Sequence, residues 1–328
     1  MEYRMLGRGG LKVSVLGYGA GAVGGLLVRG SVAEQDRSVG RAIEAGITYF
    51  DTAPSYGNGA SETNLGRALR GHGAADVVLG TKYHMAPGDR ERLGAAIAAS
   101  VQASLRRLGR DSVDLLQLHD PVFPDGSAAA AGGYSVRQML HEAAPALARL
   151  RDSGLCRCIG ITGLGDAGAL RTVLDAGIFD TAQLPYNLLN PSVLDPLPAS
   201  LPGQDFQGVM RVAAARGVGI IGIRILAGGA LSGDAWRHPL AMEQVAPIGS
   251  AATYAEDVAN ARRLLPLLAE GAVASLAELA VCFALTPPAM GTALIGTASL
   301  EQLEAAIAAA ERGPLPAAVL ARAAALLG

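Results

Sequence analysis

The sequence predicts an α/β protein built as a (β/α)8 TIM barrel, with an N-terminal β-hairpin and an extra C-terminal helix. Three observations lead there. Eight strand-forming apolar stretches alternate with eight helix-forming ones between residues 13 and 311. The strand stretches are mostly continuous apolar runs rather than alternating ones, as expected when a parallel sheet is covered on both faces. A length of 328 residues suits a closed barrel, so residues 1–328 are expected to form a single domain. A doubly wound open sheet with a cap is the other architecture compatible with the alternation.

Residues 2–6 and 11–15 flank the turn Arg8, Gly9, Gly10 and read as the hairpin. Residues 13–19 continue as the first barrel strand, followed by a loop holding Gly19, Gly21, Gly24 and Gly25. That loop lacks the spacing of a phosphate-binding fingerprint. Ser31 with Glu34 three residues on forms a capping box, starting a helix that should run to about residue 45 and stop at Gly46. Residues 48–52 are the second strand, and Ser61 starts a helix ending near Gly71. Residues 76–83 are the third strand, and residues 89–108 a long helix closed by Gly109. Residues 112–118 are the fourth strand, followed by a helix over 135–153 that Pro145 should bend. The later units are strand 157–162 with helix 166–176, 181–186 with 206–216, 218–225 with 275–285, and 293–297 with 300–311. Residues 226–263, rich in Gly, Ala and Pro, are expected to lie over the active-site face. Residues 314–327 form the terminal helix.

Composition narrows the function. A formal charge of −2 gives no basic face for nucleic acid and no polybasic patch for a membrane. Residues 1–8 lack the apolar run of a signal peptide and no stretch of 18 apolar residues follows, so a soluble cytoplasmic protein is expected. Cys156, Cys158 and Cys282 make no disulfide framework and match no zinc-ligand spacing, so no metal site is expected. Lysine occurs only at Lys12 and Lys82. That scarcity singles out Lys82, which ends an apolar strand.

In a barrel of this type the C-terminal strand ends and the loops after them face the active site. Asp51 ends the second strand, with Tyr56 in its loop; Lys82 ends the third and His119 the fourth. A tyrosine with an ordinary pKa near 10 exchanges protons poorly at neutral pH, and a neighbouring ammonium should lower that value. The ammonium needs a counter-ion, which Asp51 supplies, and His119 can orient a carbonyl or hydroxyl oxygen. The set suits proton transfer to a carbonyl oxygen while a hydride moves at the carbon. Singly, each residue has a plainer role: a turn cap, a rim aromatic, a snorkelling lysine, a turn histidine. Their joint appearance on three successive strand ends favours catalysis. Tyr56, His119, Tyr83, Phe123 and Trp236 are the candidate substrate contacts, with His84, Pro121 and Val122 beside them.

The motif Gly46-Ile-Thr-Tyr-Phe-Asp51-Thr-Ala-Pro-Ser-Tyr56-Gly, the Thr81-Lys82 strand end, Leu115-Leu-Gln-Leu-His119 and Gln183 before Tyr186 together resemble the aldo-keto reductase family over almost the whole chain. The resemblance implies Tyr56 as general acid/base, Lys82 and Asp51 tuning it, and His119 orienting the substrate. It also implies a nicotinamide cofactor, NAD or NADP, held extended across the barrel mouth. Thr162 and Gln183 would bond its carboxamide; Leu226, Gly228 and Leu231 would wrap its pyrophosphate. Gly296, Thr297 and Gln302 would meet the adenosine ribose, and Gly19, Ala20, Asp51 and Arg224 complete the cofactor set. Ile223 or Arg224 stands where many relatives place an aromatic ring against the nicotinamide. Gly296 and Gln302 replace the cations that often clamp the 2′-phosphate, which slightly favours NAD, although Arg224 could compensate. The run Ile159-Gly-Ile-Thr-Gly-Leu164 and the stretch Ile221-Gly-Ile-Arg224 are similar to the aldose 1-dehydrogenase subgroup. The expected substrate is therefore a sugar hemiacetal or a small aldehyde or ketone. A cofactor-binding regulatory or partner protein of the same fold is the alternative, and an aldolase using Lys82 as a Schiff base a third.

Overall fold

The computed structural model describes residues 1–127 and 132–328. Among these, eight parallel strands hydrogen-bond side by side and close into a barrel. They are β1 (Leu16–Gly19), β2 (Tyr49–Asp51), β3 (Val78–Tyr83), β4 (Val113–Leu118), β5 (Cys156–Thr162), β6 (Thr181–Pro185), β7 (Gly219–Ile223) and β8 (Met290–Ile295). Each pairs with its neighbours in chain order, and β8 returns to β1 with Ala293 opposite Leu16. The continuous apolar runs have their reason in burial: every residue of β3 and β8 is covered. Side chains point alternately into the barrel and into the helical layer, and both are core. The predicted (β/α)8 barrel is the observed fold.

One end of the barrel is stoppered. Strands Tyr3–Leu6 and Leu11–Ser14 pair antiparallel as the expected hairpin. Leu6, Leu11 and Val13 pack against Tyr49, Val78, Leu115, Ile221 and Leu294 inside the barrel. Gly7 adopts φ +61°, and a Cβ there would lie 2.2 Å from the Gly219 nitrogen, so only glycine lets the hairpin turn touch the start of β7. With that end filled, ligand access is left to the opposite rim.

Several helices start where the sequence places a cap. Ser31 and Glu34 form the expected capping box at helix Val32–Glu44, Asp166 caps Ala167–Asp175, and Ser275 caps Leu276–Leu285. The terminal helix is Ala317–Leu327. Ser61 does not cap. Helix Ala60–Gly71 begins one residue earlier, on Gly59 at φ +86°. The Ser61 hydroxyl instead donates to the Ala20 carbonyl at 2.7 Å and pairs with Thr52 Oγ1 at 2.8 Å, tying the first two barrel loops together. Pro145 falls in the first turn of helix Ala144–Asp152, which follows a π turn over Met139–Ala143, so its missing N–H breaks no bond within that helix. Among the described residues no helix is long and apolar enough to cross a membrane.

The segment 226–263 lies over the open rim, as expected, and it carries its own structure. Turns over Ala227–Ser232 are followed by helix Tyr254–Arg262, started by a Thr253–Glu256 capping box. Met242 N–H donates to the Val23 carbonyl at 2.9 Å and Arg29 Nε to the Leu240 carbonyl at 2.7 Å, fastening this segment to the loop after β1.

Candidate active site

Asp51 is the hub of the open end. Its Oδ1 accepts from the Tyr49 hydroxyl at 2.9 Å, Gln183 Nε2 at 2.8 Å and Gln117 Nε2 at 3.1 Å. Its Oδ2 takes the Lys82 ammonium, which also donates to the Thr52 carbonyl at 2.9 Å. Sheet register produces this convergence. Tyr49 and Asp51 are two apart on β2 and share its inner face; Lys82 on β3 stands opposite Gln117 on β4, and Gln183 on β6 lies opposite Thr162 on β5. The Lys82 and Asp51 side chains are 0% and 4% exposed, so each ion depends on the other and on these hydrogen bonds to remain charged.

Tyr56 and His119 complete the group. The Lys82 nitrogen sits 4.9 Å from the centre of the Tyr56 ring. The His119 imidazole meets that ring edge-on, with centroids 5.6 Å apart. Burial pulls His119 down to about 3, helped by the positive charge of Lys82, so the imidazole is neutral across the physiological range. For Lys82, burial favours the neutral amine, but Asp51 and Tyr56 together outweigh it and raise the pKa, so the ammonium persists. Tyr56 departs from expectation: burial raises its pKa above the ordinary tyrosine value, and Lys82 offsets only part of that rise. The phenol is therefore less acidic than a neighbouring ammonium alone would make it.

Above these groups lies a cavity of about 560 Å³. Of the predicted cofactor positions, Gly19, Asp51, Thr162, Gln183 and Arg224 line it. So do Leu226, Gly228, Gly296, Thr297 and Gln302. Tyr56, His119 and Trp236 from the substrate set also line it. Four predicted contacts lie elsewhere. The Ala20 and Leu231 side chains are buried in the hydrophobic core. Tyr83 follows the inward-facing Lys82, so strand alternation sends it into the helical layer, where its hydroxyl donates to Asp89 at 2.8 Å. Phe123 lies in the short strand Val122–Phe123, paired with Tyr134–Ser135 and with its ring beside Gly133, and it does not line the cavity.

The walls fit a nicotinamide dinucleotide. Thr162 Oγ1 is buried with no hydrogen-bond partner and lines the cavity, as a group kept for a carboxamide would. Gln183 is only partly free for that role, since its Nε2 already serves Asp51. Glycines bring two backbone loops close at the rim: a Cβ on Gly24 would fall 2.6 Å from the Thr297 nitrogen. Gln302 supports the loop from within, its Oε1 accepting from the Ala298 N–H at 2.8 Å. Sequence reasoning missed Tyr49 and Gln117, polar residues inside apolar runs. It also missed Arg237, whose guanidinium stacks 4.9 Å from the Tyr254 ring centre at the cavity wall.

A model of the aldo/keto reductase family matches residues 15–327. The chain belongs to that family. Its relatives include an L-galactose dehydrogenase from Arabidopsis thaliana, 30% identical over 94% of this chain and 88% of that protein. An L-glyceraldehyde 3-phosphate reductase from Escherichia coli is 30% identical over 93% of this chain and 86% of that protein. A D-threo-aldose 1-dehydrogenase from a Pseudomonas species is 34% identical, over 58% and 63% respectively. This aldo/keto reductase is an NAD(P)-dependent oxidoreductase, and its cofactor is a nicotinamide dinucleotide.

Proposed function

We propose that this aldo/keto reductase oxidises an aldose at its anomeric carbon, with Tyr56 moving the proton. The observation that carries this is the Lys82 ammonium held between the Asp51 carboxylate and the Tyr56 ring at the floor of the cavity. The sugar assignment draws on the named activities of the L-galactose dehydrogenase and D-threo-aldose 1-dehydrogenase relatives. Bound NAD supplies the hydride acceptor. The neutral His119 holds the reacting oxygen by hydrogen bonding. Tyr56, as phenolate, takes the proton of the anomeric hydroxyl, and Lys82 stabilises the charge on the phenolate oxygen. Asp51 keeps Lys82 charged and in place, while Tyr49, Gln117 and Gln183 fix Asp51. In the reverse direction Tyr56 gives its proton to the carbonyl oxygen; burial keeps it protonated at neutral pH, which suits reduction there.

NAD is preferred over NADP in this proposal. Helix Leu300–Arg312 presents Glu301 in its first turn, Gln302 is engaged with Ala298, and Gly296 offers no charge, so a 2′-phosphate would find no clamp there. Arg224 and Arg237 stand instead around the Gly228 turn, Arg237 donating to its carbonyl at 2.8 Å. A cytoplasmic location belongs to the same proposal. The test is a panel of aldoses with NAD at alkaline pH, set against simple aldehydes with NADPH at neutral pH. Turnover of aldoses with NAD is the expected result; turnover confined to aldehydes with NADPH would overturn both assignments.

A further inference from the structure

Beside the proposed proton-transfer group stands a second polar pair that this chemistry leaves unused. His84 follows the last residue of β3, and its ring meets His119 edge-on, with centroids 6.4 Å apart and planes at 80°. His84 Nδ1 lies 2.6 Å from Asp120 Oδ1. The other Asp120 oxygen accepts the Met85 N–H at 2.8 Å. The carboxylate is thus fixed from two sides, with the Asp120 side chain 3% exposed, while that of His84 is 55% exposed. A histidine that merely filled space would be covered. This one is anchored at Nδ1, and more than half of its side chain is exposed.

The anchoring defines what the ring presents. With Nδ1–H donated to the carboxylate, Nε2 points to the other side of the five-membered ring, away from Asp120. Neutral, Nε2 accepts a hydrogen bond; protonated, it donates one. A hydroxyl both donates and accepts, so it satisfies Nε2 in either state. A ketone or ether oxygen meets only the protonated ring, and an alkyl group meets neither. We propose that His84, oriented by Asp120, is a specificity-determining residue that hydrogen-bonds a second hydroxyl of a polyhydroxylated substrate whose reacting oxygen is held by His119. This rests on the aldose reading above and adds the group that separates a polyol from a simple aldehyde.

The experiment measures kcat/KM for one aldose and its single-deoxy analogues, in the wild type, His84→Ala and His84→Gln. In the wild type, removing one particular hydroxyl other than the anomeric one should cost roughly three- to tenfold, mainly through KM, as for a single partly solvated hydrogen bond. In His84→Ala that penalty should vanish. In His84→Gln, whose amide both donates and accepts, part of it should return. Thermal midpoints and NADH titrations report whether each variant is folded. Three results would overturn the proposal: no deoxy analogue is penalised in the wild type, the same penalty persists in His84→Ala, or the variant weakens every substrate equally. A wild type that turns over no aldose fails earlier and removes the aldose reading with it. The two failures are therefore distinguishable.

Discussion

At Asp51, one carboxylate accepts three side-chain hydrogen bonds and an ion pair beneath the cavity. Tyr49→Phe removes one of these without changing the ring, so it should destabilise the protein by about 1.5–3 kcal/mol, the range for a hydrogen bond to a charged group. A thermal or urea melt checks it. Lys82→Met is a harsher change: it strands a buried carboxylate, should cost about 3–5 kcal/mol, and should leave almost no turnover. The pH dependence follows from the same groups. His119, lowered to about 3, carries no charge change between pH 5 and 9 and should place no inflection there. Tyr56, raised above the ordinary value, gains phenolate only as pH climbs, so aldose oxidation should increase through pH 9, while reduction, which uses the phenol that burial keeps protonated, should stay level over the same range. A pH–rate profile in both directions tests these signs. That Asp51, Tyr56, Lys82 and His119 stand together was legible because strand ends in a barrel converge. Tyr49 and Gln117 were not, because a polar residue within an apolar strand gives no sign of whether a partner awaits it across the barrel. Tyr83 was misplaced by ignoring that one residue after an inward lysine points outward.

Among the elements, the segment after β7 shows most clearly how the rim is built. Its Thr253–Glu256 box starts helix Tyr254–Arg262, and that helix carries Tyr254 to the cavity under Arg237. Thr253→Ala should therefore destabilise this helix by about 0.5–2 kcal/mol. Hydrogen exchange over 254–262 should quicken, and dinucleotide affinity should weaken while the barrel core stays protected. The capping pattern was present in the sequence but stood after a Gly- and Pro-rich stretch with little helical periodicity, which hid it. Ser61 shows the opposite error. It has the chemistry of a cap, yet its hydroxyl is used between the loops after β1 and β2, and Gly59 starts the helix instead. Local signals lose where a long-range hydrogen bond claims the same atom.

For the molecule as a whole, the barrel was legible because alternation and burial on both faces leave a pattern in every strand. The rim was legible in part: segment 226–263 and Trp236 stand at the mouth as expected, whereas Phe123 is held in a short strand pair by packing between distant loops, which local periodicity does not show. Cofactor preference belongs to this scale, because it depends on where the loop after β8 meets the helix behind it. Gly296→Lys combined with Gln302→Arg should raise NADPH affinity about tenfold or more by supplying charge-assisted bonds to the 2′-phosphate. Fluorescence titration of NADH and NADPH reads it directly. The central claim is that the phenol neighbouring the buried ammonium carries the proton. Single-turnover hydride transfer in Tyr56→Phe, with dinucleotide affinity measured alongside, tests that most directly. Transfer should be lost with binding intact, and transfer at a near wild-type rate would contradict the account.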